Sequence, residues 1–199
     1  MEKLSSLITD FYIRKNYVPE DKREIYCFGF QLIIADIVNF SIVMLLGLVL
    51  GAWLQSVVFL ITLCGLRRYS GGFHAKTFWL CRLSMLITFF CVIVVSRLLS
   101  ETVGYHLGIF GAVNVLAVAA SALLAPVKHP NKHLNEEQKK SNKRKAVITS
   151  SALSVLSLLL IQVSRAEGIT ISITLAAVVI LMIIGIAVQK GGRSDVSVA

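Results

Sequence analysis

Long apolar runs alternate with short polar segments along almost the whole chain. Six runs stand out, at residues 25–50, 52–66, 77–99, 105–127, 146–163 and 169–188. A helix needs about 20 predominantly apolar residues to cross a bilayer, and most of these runs approach or exceed that length. The pattern therefore predicts an all-α, polytopic membrane protein with about six transmembrane helices, formed by one integral membrane domain over residues 1–199.

The second run is the shortest, with 15 residues. At about 1.5 Å per residue it covers about 22 Å, which is less than the ~30 Å hydrocarbon core of a bilayer. We expect it to extend into residues 48–51, to cross a locally thinned bilayer with little tilt, or to be re-entrant. Trp53 at its start is a candidate interfacial anchor.

The first 18 residues show a different pattern, in which apolar and polar positions segregate with helical spacing. One face carries Leu4, Leu7, Ile8, Phe11 and Tyr12, and the opposite face carries Ser5, Ser6, Thr9 and Asp10. Such a segment is too polar to span a membrane. It predicts an amphipathic helix on the membrane surface, and a helix packed against a neighbouring loop is the alternative.

Composition and charge agree with a membrane location. Hydrophobic residues make up 56% of the chain and charged residues 16%, whereas a soluble domain has about 25% charged residues. The net charge of +9 resides in short loops, where it meets anionic lipid, so no nucleic-acid partner is expected. With six spans, all of the 20 Lys and Arg residues except Arg97 and Arg165 fall on one side. The positive-inside rule then predicts cytoplasmic termini, a basic cytoplasmic loop at 128–145 and a loose tail at 189–199.

The first span carries an unusual polar load in Gln31, Asp36 and Asn39. A carboxylate at the bilayer centre costs roughly 2.5–3.5 kcal/mol, so Asp36 is expected to face protein, with Arg82 or Arg97 as candidate partners. These residues also define the competing function, a non-enzymatic transporter with a polar pathway. An inverted repeat would favour a transporter, and the sequence contains none.

Residues 67–81 form a polar stretch between two apolar runs and contain both a histidine and a cysteine. A free thiol has a pKa of about 8.5, and an imidazolium, nearby cations or a helix N-terminus lowers it toward a reactive thiolate. His74 and Cys81 are therefore the candidate general base and nucleophile. A solvated histidine beside a packed cysteine is the alternative. The four cysteines lack zinc-site spacing, so no metal and no cofactor is expected.

The spacing of His74 and Cys81 restricts the geometry. Residues seven apart in a helix lie about 10.5 Å apart along its axis, whereas a base must approach within about 2.6–3.2 Å of its proton donor. The pair Gly71 and Gly72 would permit the chain to turn, and an uninterrupted helix over 71–81 would prevent the contact. Candidate supporting groups, for orienting the histidine or stabilising an oxyanion, are Gln31, Ser70 and the amide of Gly72.

This stretch resembles the accessory gene regulator B (AgrB) family of bacterial membrane cysteine endopeptidases. The resemblance rests on Arg67, Gly72, His74 and Cys81 in the pattern Arg-x-x-x-x-Gly-x-His-Ala-x-x-x-x-x-Cys and extends over nearly the whole chain. It departs at His133, where the family pattern leads us to expect a proline. The resemblance implies that Cys81 is the nucleophile and that His74 is the base.

The resemblance also implies a substrate and a product. The substrate is a small AgrD-type precursor peptide, with an amphipathic N-terminal helix and an acidic C-terminal tail. Cleavage leaves an acyl-enzyme thioester, which a cysteine or serine of the peptide attacks to close a thiolactone or lactone ring for quorum sensing. Candidate contacts for the acidic tail are Arg67, Arg68, Lys139 and Lys140, with attraction to membrane lipid as the alternative role. A second copy of the chain is a further candidate partner.

Overall fold

The part of the chain that the structure describes contains seven α-helices. The computed structural model describes residues 2–70, 78–102, 107–127 and 135–194. The helices are α1 (Glu2–Arg14), α2 (Arg23–Val49), α3 (Trp53–Ser70), α4 (Phe78–Thr102), α5 (Leu107–Leu124), α6 (Glu136–Val163) and α7 (Arg165–Ser194), with a 3₁₀ turn at Glu20–Lys22. The described residues contain no strand, which confirms the all-α prediction.

Five helices in the described part are long and apolar enough to cross a membrane. They cover Glu20–Val49, Trp79–Glu101, Leu107–Leu124, Glu136–Val163 and Arg165–Val188. The remaining long helix, α3, packs against α4, α6 and α7. Its buried face includes the polar residues Gln55, Ser56 and Thr62. These polar residues therefore contact other helices.

The chain divides into two compact units, Met1–Leu46 and Gly47–Ala199, with the boundary inside α2. In the first unit, α1 contacts the start of α2 through its polar face. Ser5 is fully buried with its Oγ 3.4 Å from Cys27 Sγ, and Arg23 donates hydrogen bonds to Asp10 Oδ1 and Ser6 Oγ, both at 2.9 Å. The prediction of one integral domain over the whole chain stays a prediction.

The apolar face of α1 is directed away from the protein. Leu4, Leu7 and Phe11 are 52%, 67% and 56% exposed. This confirms the amphipathic pattern, because the polar face packs on α2 and the apolar face is open; the position on the membrane surface stays a prediction. An open apolar face beside a membrane-crossing helix is the arrangement of an interfacial helix.

In the second unit, a tight turn joins α2 to α3. Gly51 has a φ of +63°, and the amides of Gly51 and Ala52 donate to the carbonyls of Leu48 (3.1 Å) and Gly47 (2.7 Å), which is a Schellman motif. Near the end of α4, Arg97 Nη2 donates to the Leu50 carbonyl at 2.6 Å. The far end of α4 is thus joined to the start of α3, so these two helices are antiparallel.

Helix α7 forms the centre of this unit and contacts α3, α4, α5 and α6. Leu175, Val178 and Met182 on α7 are almost completely buried. At the α6–α7 junction, Ser157 Oγ donates to the Gly168 carbonyl at 2.8 Å and lies 2.7 Å from Ser172 Oγ. Small residues allow helices in a membrane to approach closely. Because lipid supplies little hydrophobic driving force for association, close packing and hydrogen bonds between helices stabilise the contact instead.

Two predicted boundaries are wrong. Residues 136–145 of the predicted basic loop are helical and form the first part of α6, which begins with a capping box between Asn135 and Gln138. Acidic residues in the first turn followed by lysines favour a helix here, and Lys139 Nζ pairs with Glu136 Oε1 at 2.5 Å. At the other end, α7 continues to Ser194, so the predicted loose tail is helical over its first residues.

Candidate active site

Cys81 lies in the first turn of α4 and is partly buried. The first turn of a helix presents backbone N–H groups without intrahelical partners and the positive end of the helix dipole. One residue further on, the guanidinium of Arg82 lies 5.1 Å from the centre of the Trp79 ring. Cys81 therefore lies at the end of α4 where the helix dipole is positive.

The predicted partner of Cys81 falls outside the described residues. His74, Gly71 and Gly72 all lie within residues 71–77, which the structure does not describe. The His74–Cys81 contact, the glycine turn and the role of the Gly72 amide therefore stay predictions.

Ser70, the last residue of α3, is buried at the end of the helix bundle. Its carbonyl accepts a hydrogen bond from the Val127 amide at 2.9 Å, which joins the end of α3 to the segment after α5. Because α3 and α4 are antiparallel, Cys81 lies at this same end of the unit. Ser70 is thus at the predicted end of the bundle, and its role in orienting the histidine stays a prediction.

Basic side chains gather at this end of the bundle. Arg67 is partly buried and Arg68 is exposed in the last turn of α3. The next residue of α3 is Tyr69, and the Nζ of Lys145 on α6 lies 5.8 Å from the centre of the Tyr69 ring. We call Arg67, Arg68 and Lys145 the basic cluster. The sequence predicts arginines and lysines as contacts for an acidic peptide tail. The contact between Tyr69 and Lys145 joins residues that are 76 positions apart, and no local sequence pattern predicts it.

The other predicted lysines lie further along α6. Lys140 is exposed, whereas Lys139 pairs with Glu136. Lys139 and Lys145 are six residues apart, so they are separated by about 9 Å along the helix axis. The charge of Lys139 is partly neutralised by Glu136, which leaves Lys140 as the more available of the two predicted tail contacts.

The structure describes all three polar residues of the first span that the sequence analysis named. The Gln31 amide lies 3.9 Å from Cys27 Sγ, four residues earlier in α2, and its predicted role near the catalytic pair stays a prediction. Asn39 is buried. Asp36 is exposed, and the prediction that it faces protein with Arg82 or Arg97 as a partner stays a prediction. One candidate partner, Arg97, donates to the Leu50 carbonyl and thereby stabilises the α2–α3 turn.

The comparisons with known proteins identify the family. A family model described as Accessory gene regulator B matches residues 5–187. The chain belongs to the AgrB family. A relative from Clostridium perfringens strain 13, named AgrB-like protein 2, is 27% identical over 73% of this chain and 69% of its own length. An AgrB-like protein of Listeria monocytogenes serovar 1/2a is 31% identical over 79% of this chain and 76% of its own length. No solved structure matches the chain.

Family membership and the apolar helices together indicate the general class of the protein. The protein is a multi-pass membrane protein of a family involved in processing a quorum-sensing precursor. Within the described ranges, no three His, Cys, Asp or Glu side chains come together as a metal site.

Proposed function

We propose that this AgrB-family chain is a membrane-embedded cysteine endopeptidase that removes the C-terminal tail of an AgrD-type precursor peptide. The observation that carries the proposal is the position of Cys81, in the first turn of an apolar helix at the end of the bundle where the basic cluster lies. A thiol at a helix N-terminus beside cationic groups is the environment that activates a nucleophilic cysteine.

The reaction has two acyl transfers. His74, assigned from the sequence, takes the proton from Cys81 Sγ, and the sulfur attacks the carbonyl carbon of the scissile peptide bond. The C–N bond breaks, the tail leaves as an amine that receives the proton, and the acyl group remains on Cys81 as a thioester. A thiol or hydroxyl of the peptide then attacks that thioester, releases the Cys81 thiol and closes a thiolactone or lactone ring.

The basic cluster gives the proposal its substrate preference. Arg67, Arg68 and Lys145 lie at the same end of the bundle, and Lys140 adds a further exposed positive charge on α6. An acidic peptide tail is attracted to such a surface, because opposite charges raise the local concentration and orient the approaching chain. The charge distribution also supports a cytoplasmic location for this end, with both termini on the same side. Membrane lipid and a second copy of the chain stay candidate partners.

A transporter remains the second candidate function, favoured by the polar residues of α2. Asn39 is buried in a helix that is otherwise suited to crossing the membrane. Polar residues at membrane depth commonly mark transport pathways. A transporter would lose function on substitution of Asp36 or Asn39 and would tolerate the loss of Cys81.

The test is cleavage of a precursor peptide by the purified chain in proteoliposomes. Cys81→Ala should abolish cleavage, and His74→Ala should slow it by a factor of about 10²–10⁴, the contribution expected of a general base. Asp36→Asn should retain cleavage. Full cleavage by Cys81→Ala would contradict the proposed function.

A further inference from the structure

An open groove lies between α4 and α7 in the second unit. Its volume is about 550 Å³, and it is lined by α4 from Leu80 to Val95 and by α7 from Ile173 to Ile184. The only lining side chains with a hydroxyl or thiol are Ser84, Thr88 and Cys91, and every other one is aliphatic. Thr88 Oγ1 donates to the Ser84 carbonyl at 2.8 Å, so its hydroxyl is satisfied within the helix. The groove therefore presents an apolar surface.

The groove begins at the turn of α4 that contains Cys81. Leu80, the residue before the cysteine, is its first lining residue on α4. Ser84 and Thr88 are three and seven positions after Cys81, and at 3.6 residues per turn such positions share a helix face. The face of α4 that carries the sulfur thus continues directly into the groove.

Two chemically different surfaces therefore lie at the end of the bundle that carries Cys81. The groove extends from it along α4 for about 22 Å, the length of 15 residues of helix. At the end of the bundle, the basic cluster of Arg67, Arg68 and Lys145 presents positive charge. A peptide whose reacting carbonyl lies at Cys81 meets apolar surface in one direction and cationic surface in the other.

The size of the groove restricts its occupant. A volume of 550 Å³ lies within the range of about 300–1,000 Å³ that holds drug-sized ligands. The groove is therefore large enough for a few apolar side chains of an extended segment.

We propose that the α4–α7 groove holds the apolar residues on the acyl side of the scissile bond of the precursor peptide, while acidic residues on the leaving side contact the basic cluster. This inference rests on the proposed function and adds the substrate subsite. Apolar contacts in the groove retain the acyl group after the tail has left. The retained peptide holds its own nucleophile near the thioester in a site with little water, which favours ring closure over hydrolysis.

The first experiment alters the groove without touching Cys81. Ala177→Phe fills the groove from α7, and Ile180→Ala removes apolar contact from a side chain that is 57% exposed. Each should raise the KM for the precursor about tenfold in proteoliposomes and leave the enzyme folded. The matched controls lie on the exposed face of α5, where Ala119→Phe and Ile109→Ala should leave KM unchanged; Ile109 is 53% exposed.

The second experiment locates the bound peptide directly. A precursor with a diazirine-bearing leucine on the acyl side of the cleaved bond is photolysed with the Cys81→Ala variant, and adducts are mapped by mass spectrometry. Adducts should concentrate at residues 84–95 and 173–184 and should decrease in the additional presence of Ala177→Phe. Adducts spread over lipid and the exposed face of α5, or concentrated on α2, would overturn the subsite.

These outcomes separate the subsite from the proposed function. If Cys81→Ala abolishes cleavage but both groove variants keep the wild-type KM, the subsite is wrong and the endopeptidase assignment stands. If Cys81→Ala still cleaves the precursor, the proposed function itself fails, whatever the groove variants do.

Discussion

At the scale of single residues, Cys81 is defined by its place in the first turn of α4 and by the cations near that end of the bundle. The position follows from the sequence, because the third apolar run begins only a few residues before the cysteine. The side chains that other helices bring to this end of the bundle do not follow from the sequence. Lys145 meets Tyr69 only because α6 packs beside α3, and local sequence carries no information about that pairing.

His74 is predicted to generate the thiolate. In the His74→Ala variant no side chain accepts the proton of the thiol, so cleavage should be slow at pH 7 and should depend more steeply on hydroxide concentration than in the wild type. Initial cleavage rates of a precursor peptide between pH 6 and 9 test this. His106→Ala is the control and should keep the wild-type rate. A His74→Ala profile parallel to that of the wild type would exclude a role for His74 as the base.

The basic cluster is predicted to act on the acidic tail. Replacing both Arg68 and Lys145 by Gln removes two cationic groups from this surface. The KM for the precursor should rise several-fold and should depend less on salt, because the lost attraction between opposite charges is the part of binding that salt screens. Steady-state kinetics at about 50 and 300 mM salt measure both effects. Arg165→Gln is the control, because Arg165 begins α7 at the other end of the bundle, and it should change neither KM nor the salt dependence of KM. An unchanged KM in the double variant would assign the cluster to lipid rather than to substrate.

At the scale of helices, α1 is attached through polar contacts and leaves its apolar face open. The hydrogen bond from Arg23 holds the pKa of Asp10 below its ordinary value of 3.8. A lowered pKa means that the ion pair stabilises the attachment fully above pH 3.8 and loses its contribution as the pH falls below that value.

Asp10→Asn is therefore predicted to loosen α1 at neutral pH. Amide hydrogen exchange within residues 5–12 should become faster, because the Arg23 contact that holds the helix on α2 loses its charge. Asp21→Asn, which alters another exposed acid in the same unit, is the control and should leave the exchange rates of α1 unchanged. Unaltered exchange in Asp10→Asn would show that other contacts position α1.

The α6–α7 junction is predicted to require glycine at position 168. A Cβ on Gly168 would lie 2.8 Å from the Ser157 carbonyl oxygen and would also meet the backbone of Ile161. Gly168→Ala should lower the free energy of unfolding by about 1–3 kcal/mol, the usual cost of overpacking. Gly111→Ala is the matched control, because its Cβ would meet no atom within 4 Å. Thermal unfolding in detergent measures both, and equal midpoints would contradict the close packing.

At the scale of the whole molecule, most helices follow from the length of their apolar runs. The two exceptions have physical causes. Helix α3 is less apolar because it packs against three neighbouring helices, and the first part of α6 is charged because charged side chains can form a helix outside an apolar run. Hydropathy reports contact with lipid, so it shows neither that α3 packs against other helices nor that α6 begins at Glu136. It also cannot predict the α4–α7 groove, which depends on how distant helices pair.

The whole molecule also has two distinct ends. Ser70, Cys81 and the basic cluster lie at one end of the second unit, and the Leu50–Arg97 contact lies at the other. This arrangement places the candidate nucleophile at the end of the unit that carries the basic cluster. A membrane protein with this polarity can hold the apolar part of a peptide at membrane depth and its acidic part at the surface.

The most direct measurement of the central claim is the mass of the intact protein during turnover. After rapid acid quench with a precursor peptide, the wild-type chain should carry an added mass equal to the acyl portion of the peptide, and hydroxylamine should remove it. The adduct should map to Cys81, be absent from Cys81→Ala and persist in Cys27→Ala, Cys64→Ala and Cys91→Ala. An adduct that persists in Cys81→Ala, or peptide cleavage by that variant, would contradict the account.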